Sequence, residues 1–130
     1  MKEAILRVVT GIGDQKYNFE SVATIQKEGD ITIVNYLIEG DRAVLRFSRN
    51  IFTMERSGDV TLSASFKQGE RTEFLSRYGE NDAVIPVLTR EYCIIEQQDS
   101  FNIYLTYDFL FGNTSDRFNL EIFLSFSEAL

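Results

Sequence analysis

Apolar and polar residues alternate almost without a break from Ser100 to the C-terminus. Phe101, Ile103, Leu105, Tyr107, Phe109 and Phe111 share one parity. After a polar turn over Gly112-Asn113-Thr114-Ser115-Asp116, so do Phe118, Leu120, Ile122, Leu124 and Phe126. A period of two puts each set on one face of a long strand. Two such strands joined by a polar turn form an antiparallel hairpin with one apolar face.

The same pattern runs through the rest of the chain and predicts about ten strands. Ala4–Thr10 leads through a turn at Gly11–Gln15 into Tyr17–Lys27. Glu28-Gly29-Asp30 is a tight turn into Ile31–Glu39, because glycine accepts a positive φ without steric cost. Gly40-Asp41 turns into Arg42–Ser48, Arg49-Asn50 into Ile51–Ser57, Gly58-Asp59 into Val60–Lys67, and Gln68-Gly69-Glu70 into Arg71–Ser76. Tyr78–Asp82 is the longest loop signal. Val84–Gln97 reads as one long strand or two, bent near Pro86 or Arg90. Pro86 is the only proline, and its missing N–H suits a strand start or a bulge. No stretch keeps a helical period over a useful length.

Many consecutive strands with short, regular turns favour a meander. An open sheet of this kind would leave two exposed edges, and closure removes them. The expected fold is all-β: an antiparallel up-and-down meander closed into a barrel of about 8–10 strands. A two-sheet sandwich is the alternative. The 130 residues suit a single domain over 1–130, and 11 Phe supply filler for a barrel interior. At this length folding buries roughly two-thirds of the unfolded surface, enough for a core without metal or disulfide staples.

Composition narrows the function classes. The chain has no histidine, so Ser-His and Cys-His nucleophilic pairs and Cys/His zinc sites are excluded. The 13 basic residues are scattered among 20 acidic ones, for a net charge of −7, which argues against a nucleic-acid partner. A single cysteine, Cys93, cannot form an internal disulfide. It reads as a small core hydrophobe beside Ile94 and Ile95. No apolar run is long enough for a membrane helix and no leader pattern is visible, so a cytoplasmic location is expected. No cofactor or metal is expected. Gly11-Ile12-Gly13 lacks the rest of a dinucleotide fingerprint, and no spacing of acids supplies a calcium loop.

Several short motifs resemble the YwiB-like family of uncharacterised bacterial β-barrels. They are Asn35-Tyr36-Leu37-Ile38-Glu39, Met54-Glu55-Arg56-Ser57-Gly58 with Leu62, Phe66-Lys67-Gln68-Gly69, Arg77-Tyr78-Gly79 and Tyr104-Leu105-Thr106-Tyr107. The resemblance covers roughly residues 17–127. It implies a closed, lipocalin-like, calycin-type barrel in a bacterial cytoplasm, and it brings no activity or ligand with it.

Arg56 is the residue of most interest. It shares parity with Phe52 and Met54, so it faces inward if they do. A guanidinium inside a barrel needs a partner. The candidates are an internal acid, Glu39 or Glu91, or the carboxylate or phosphate of a ligand held by the guanidinium fork. Tyr36, Tyr78, Tyr92, Tyr104 and Tyr107 are the second group. Converging in a cavity, they would suit a ligand with an apolar body and a polar head. The expected ligand set is Arg56, Tyr36, Tyr78, Tyr107 and Glu39.

Three functions stay open at this level. The first is a barrel holding a small apolar or amphipathic ligand. The second is a packed barrel that acts as an interaction or structural module, as a monomer or homodimer. The third, least favoured, is an enzyme. An interior cavity of several hundred Å³ would separate the first from the second.

Overall fold

The computed structural model describes residues 2–126, and all of its secondary structure is strand. The strands are β1 (Lys2–Ile12), β2 (Gln15–Glu28), β3 (Ile31–Ile38), β4 (Asp41–Phe47), β5 (Phe52–Ser57), β6 (Val60–Phe66), β7 (Arg71–Tyr78), β8 (Asn81–Glu96), β9 (Ser100–Phe111) and β10 (Thr114–Phe126). Each pairs antiparallel with its neighbours in sequence, and β1 pairs with β10 to close the barrel. The alternation dictates the inner face. Leu6 pairs with Leu124 and Ile103 with Ile122, so the inward parities of successive strands meet.

Two turns are tighter than the sequence suggested. The loop expected over Tyr78–Asp82 is a two-residue turn, Gly79-Glu80. Gly79 takes the positive φ the turn needs (62°), and Arg77 donates to both carboxylate oxygens of Asp82 across it, at 2.6 and 3.1 Å. The polar run after Phe111 likewise turns over Gly112-Asn113 alone, since Thr114 already pairs with Phe111. The expected strand over Val84–Gln97 is one strand. It is bulged between Thr89 and Glu91, which leaves Arg90 as the extra residue. Cys93, expected in the core, is exposed. Tyr92 and Ile94 take the inward positions on either side, and the period of two turns Cys93 out.

The two ends of the barrel differ. The end that holds the connections β2–β3, β4–β5, β6–β7 and β8–β9 is filled. Phe47, Phe52, Phe66 and Phe101 are fully buried there. Their rings touch at centroid distances of 5.5 Å (Phe47–Phe101), 6.1 Å (Phe52–Phe66) and 6.2 Å (Phe47–Phe52). Burying each such ring removes ~1.5–3 kcal/mol of apolar hydration cost. The other end flares. The β2–β3 ladder stops at Ala23–Tyr36 although β2 runs on to Gln15. The β8–β9 ladder stops at Val87–Phe109 although β8 runs on to Asn81. Past those points neighbouring hairpins part, and inward-facing Phe19, Leu62, Phe74, Phe109 and Phe118 are only partly buried.

Candidate functional site

The flared end carries an ion cluster built by two hairpins, β3–β4 and β5–β6. Asp41 opens β4 and points inward, 5% exposed. Its carboxylate accepts from the Nε of Arg56 at 2.9 Å and from the backbone N–H groups of Asp59 (2.9 Å) and Val60 (3.1 Å). It therefore caps the β5–β6 turn and ties it to β4. The two backbone donors, then Arg56, hold the Asp41 carboxyl below its ordinary value. Gly58 makes the approach possible. Its φ of 147° is one that side-chain-bearing residues avoid, and any Cβ there would fall on the Asp41 carboxylate.

Arg56 does face the interior, as the parity with Phe52 and Met54 predicted. Its main partner is Asp41, which was not among the acids expected. Glu39 lies farther off, with Oε2 at 3.6 Å from Nη2 and its side chain largely in solvent. Glu91, the other acid considered, is exposed on β8 and contributes to the field at Arg117 instead. Tyr36 sits across the β3–β4 ladder from Ala43, and Ala43 in turn pairs with Arg56. Burial raises the Tyr36 phenol, and the positive charge of Arg56 opposes the shift. Its ring lies 5.9 Å from that of Phe19, covering the point where β2 and β3 part.

The other tyrosines do not converge on this cluster. Tyr107 is buried in the aromatic wall, stacked on Phe118 at 5.4 Å and 11° and 4.9 Å from Phe66. Burial pushes its phenol up to about 12. Tyr92 closes the packed end, donating to the carbonyls of Ser48 (2.6 Å) and Ile51 (3.2 Å). Tyr78 stands at the rim, 65% exposed. Tyr104 lies on the outer face against Phe123.

A second cluster escaped the sequence reading. Asp108 is 2% exposed although it lies on the outward parity of β9. Arg90, the bulge residue, donates to it at 2.8 Å, and Arg117 through two nitrogens at 2.9 and 3.3 Å. The hydrogen bonds from Arg117, then Arg90, outweigh desolvation and lower its carboxyl to about 2. An acid amid Tyr107 and Phe109 was the available signal. Its partners became visible only through the register that places Arg117 opposite it.

Two broad grooves lie on the outside of the sheet. One, of ≈980 Å³, runs over β4–β8 between Arg46, Glu55, Arg71 and Glu73. Another, of ≈830 Å³, lies where β2 and β3 part, beside Val22, Leu37 and Arg42. Among the described residues no group of three or more acids or cysteines is placed to hold a metal ion. No helix is long and apolar enough to cross a membrane.

Both clusters and most of the barrel lie within residues 7–122, the stretch that matches the family model described as "Domain of unknown function (DUF1934)". The chain belongs to that family. It is also similar in structure to the YwiB protein from Bacillus subtilis, with a TM-score of 0.86 at 16% identity, over 97% of this chain and 92% of that one. Likeness at that identity establishes a common fold, and this bears out the YwiB-like resemblance of the short motifs. No curated protein matches the chain.

Proposed function

We propose that the flared end of the barrel holds a small molecule with an apolar body and a polar end. The observation that carries this is the partly exposed inner wall. Phe19, Leu62, Phe74, Phe109 and Phe118 face inward but keep solvent contact, whereas the opposite end is sealed by fully buried rings. Apolar side chains with a few polar groups beside them are the usual lining of small-molecule sites. In this reading the apolar body lies against the wall that Tyr107 backs. The polar end meets the phenol of Tyr36 and the part of Arg56 not committed to Asp41, with Glu39 and Tyr78 at the rim. An exposed, unpaired Cys93 fits a reducing cytoplasm.

Native mass spectrometry of protein purified from its own host tests the reading. The expected result is an added mass that Phe118→Asp removes and an outer-face variant, Ser63→Asp, retains. A bare polypeptide mass, together with no binding of an apolar fluorescent dye, would rule it out. A second reading, an interaction module, is supported by the clustering of the most exposed apolar side chains at this same end. These are Tyr17, Val22, Leu37, Tyr78 and Val84.

A further inference from the structure

We propose that the chain forms a symmetric homodimer by pairing the free edge of β2 with β2 of a second copy. The pairing edge lies on the outside of the barrel, although Phe19, on its inner face, also belongs to the wall described above. From Gln15 to Val22, β2 pairs with β1 on one side only, because the β2–β3 ladder ends at Ala23–Tyr36. At the end of that ladder the Ser21 hydroxyl donates to the carbonyl of Val22, 2.9 Å away. A strand edge with unpaired backbone groups is a template for another strand. The matching edge of β8 is guarded. Pro86, which has no N–H to offer, stands directly past the last β8–β9 pair. The β2 edge has no such guard.

The sequence of that edge is complementary to itself. With Asn18 on the two-fold axis of an antiparallel pair, Lys16 falls opposite Glu20 of the second copy, and Glu20 opposite its Lys16. On the other face Tyr17 falls opposite Phe19, again twice. Opposite charges and aromatic pairs are the favourable cross-strand combinations, and a self-complementary patch is what an isologous dimer requires. Tyr17, 59% exposed, gains a ring partner in this arrangement. A register moved by two, with Phe19 on the axis, would set Lys16 against Val22 and Asn18 against Glu20 and lose both charge pairs. In the favoured register Asp14 of the second copy runs toward the groove that Arg42 lines.

Sedimentation velocity over rising concentration, with charge reversals, tests the proposal. Wild-type protein should show a reversible monomer–dimer equilibrium. Lys16→Glu and Glu20→Lys should each weaken it by ~10-fold or more, since both symmetric pairs become repulsive. An equimolar mixture of the two variants should associate about as well as wild type, because every introduced charge then meets an opposite one. Both positions are exposed, and Lys16 faces only Gly11 within its own hairpin. Circular dichroism and thermal melting establish that the variants fold. If Glu20→Lys fails beside Arg7, Glu20→Gln replaces it, and its mixture with Lys16→Glu should associate more tightly than either variant alone but less than wild type, since one of the two charge pairs is restored. Wild-type protein that remains monomeric at millimolar concentration would overturn the proposal. So would a dimer indifferent to the reversals, or reversal variants that fail to recover on mixing.

Discussion

The two ends of this barrel are made from the same alternating strands and reach opposite outcomes. At one end four phenylalanines from β4, β5, β6 and β9 meet in a sealed layer. At the other, inward-facing aromatics remain partly wet, and the strands are tied together by Asp41, Arg56 and the β5–β6 turn. The difference lies in the ladders. Where all ten strands stay paired, the circumference is fixed and side chains fill it. Where β2 leaves β3 and β8 leaves β9, the circumference is no longer set by backbone hydrogen bonds; Tyr36 packs on Phe19 at the first opening, and Arg90 pairs with Asp108 at the second. Stability should therefore be concentrated at the sealed end and adaptability at the flared one.

The sharpest way to break this comparison is to truncate one ring at each end. Phe52 is fully buried against Phe47, Phe66 and Tyr92. Phe52→Ala should cost ~3–5 kcal/mol in urea unfolding. Phe74, half-buried at the flared end, should cost ~1 kcal/mol on the same substitution. Equal losses would mean the two ends are equally packed. Ile122→Ala, fully buried between them, should fall in the range ~2–5 kcal/mol.

The next effect concerns what holds the flared end. Gly58→Ala forces a side chain into a φ of 147° and onto the Asp41 carboxylate, and should cost at least ~2 kcal/mol. Arg56→Ala should lower the melting temperature by freeing the same carboxylate, and Arg56→Lys by less, since it keeps the charge but loses the Nε donor. Melting unchanged by Arg56→Ala would show that the backbone caps alone hold the turn.

How much of this was legible in the sequence follows from what a period of two can encode. It gives the face of each residue, and so placed Arg56 inside and Ile122 in the core. The same rule, had it been applied to Cys93 between Tyr92 and Ile94, would have put the thiol in solvent; reading its apolar neighbours as surroundings put it in the core. Partners across strands need the register, which the alternation leaves undetermined by steps of two. Asp41 was visible only as a turn residue, and its pairing with Arg56 depends on how far β4 and β5 slide along each other. Asp108 is the extreme case. Its two arginines, Arg90 and Arg117, come from different strands, and one of them reaches it through a bulge.

The Asp108 cluster joins β8, β9 and β10 where the β8–β9 ladder ends, and its contribution can be read from pH. The folded carboxyl titrates at about 2, below its ordinary 3.8. A depressed folded value means the stabilisation is fully present above the unfolded value near 4. It is lost as pH falls from there through about 2. Asp108→Asn should therefore flatten the acid limb of the stability profile between about pH 4 and pH 2 while lowering stability at neutral pH. An acid limb identical to wild type would place the acid-labile contacts elsewhere, with Asp41, also depressed, as the next group to replace.

The smallest expected effect lies at the waist between the two ends. Thr89 pairs with Tyr107 directly before the bulge, and its side chain is fully buried. Its backbone is satisfied: the N–H donates to Glu70 and the carbonyl accepts from Gly69. Its hydroxyl oxygen has no hydrogen-bond partner. A buried hydroxyl left unpaired costs roughly 1–3 kcal/mol relative to a satisfied one, while an apolar group of the same shape costs nothing of the kind. Thr89→Val keeps the β-branched form and inward direction and removes the unpaired oxygen. It should stabilise the protein by ~1 kcal/mol, read as a higher urea midpoint at unchanged slope. A destabilised Thr89→Val would mean that the hydroxyl is satisfied in solution by a water at the bulge. The sealed layer would then end below Thr89, and the flared end would reach deeper into the barrel.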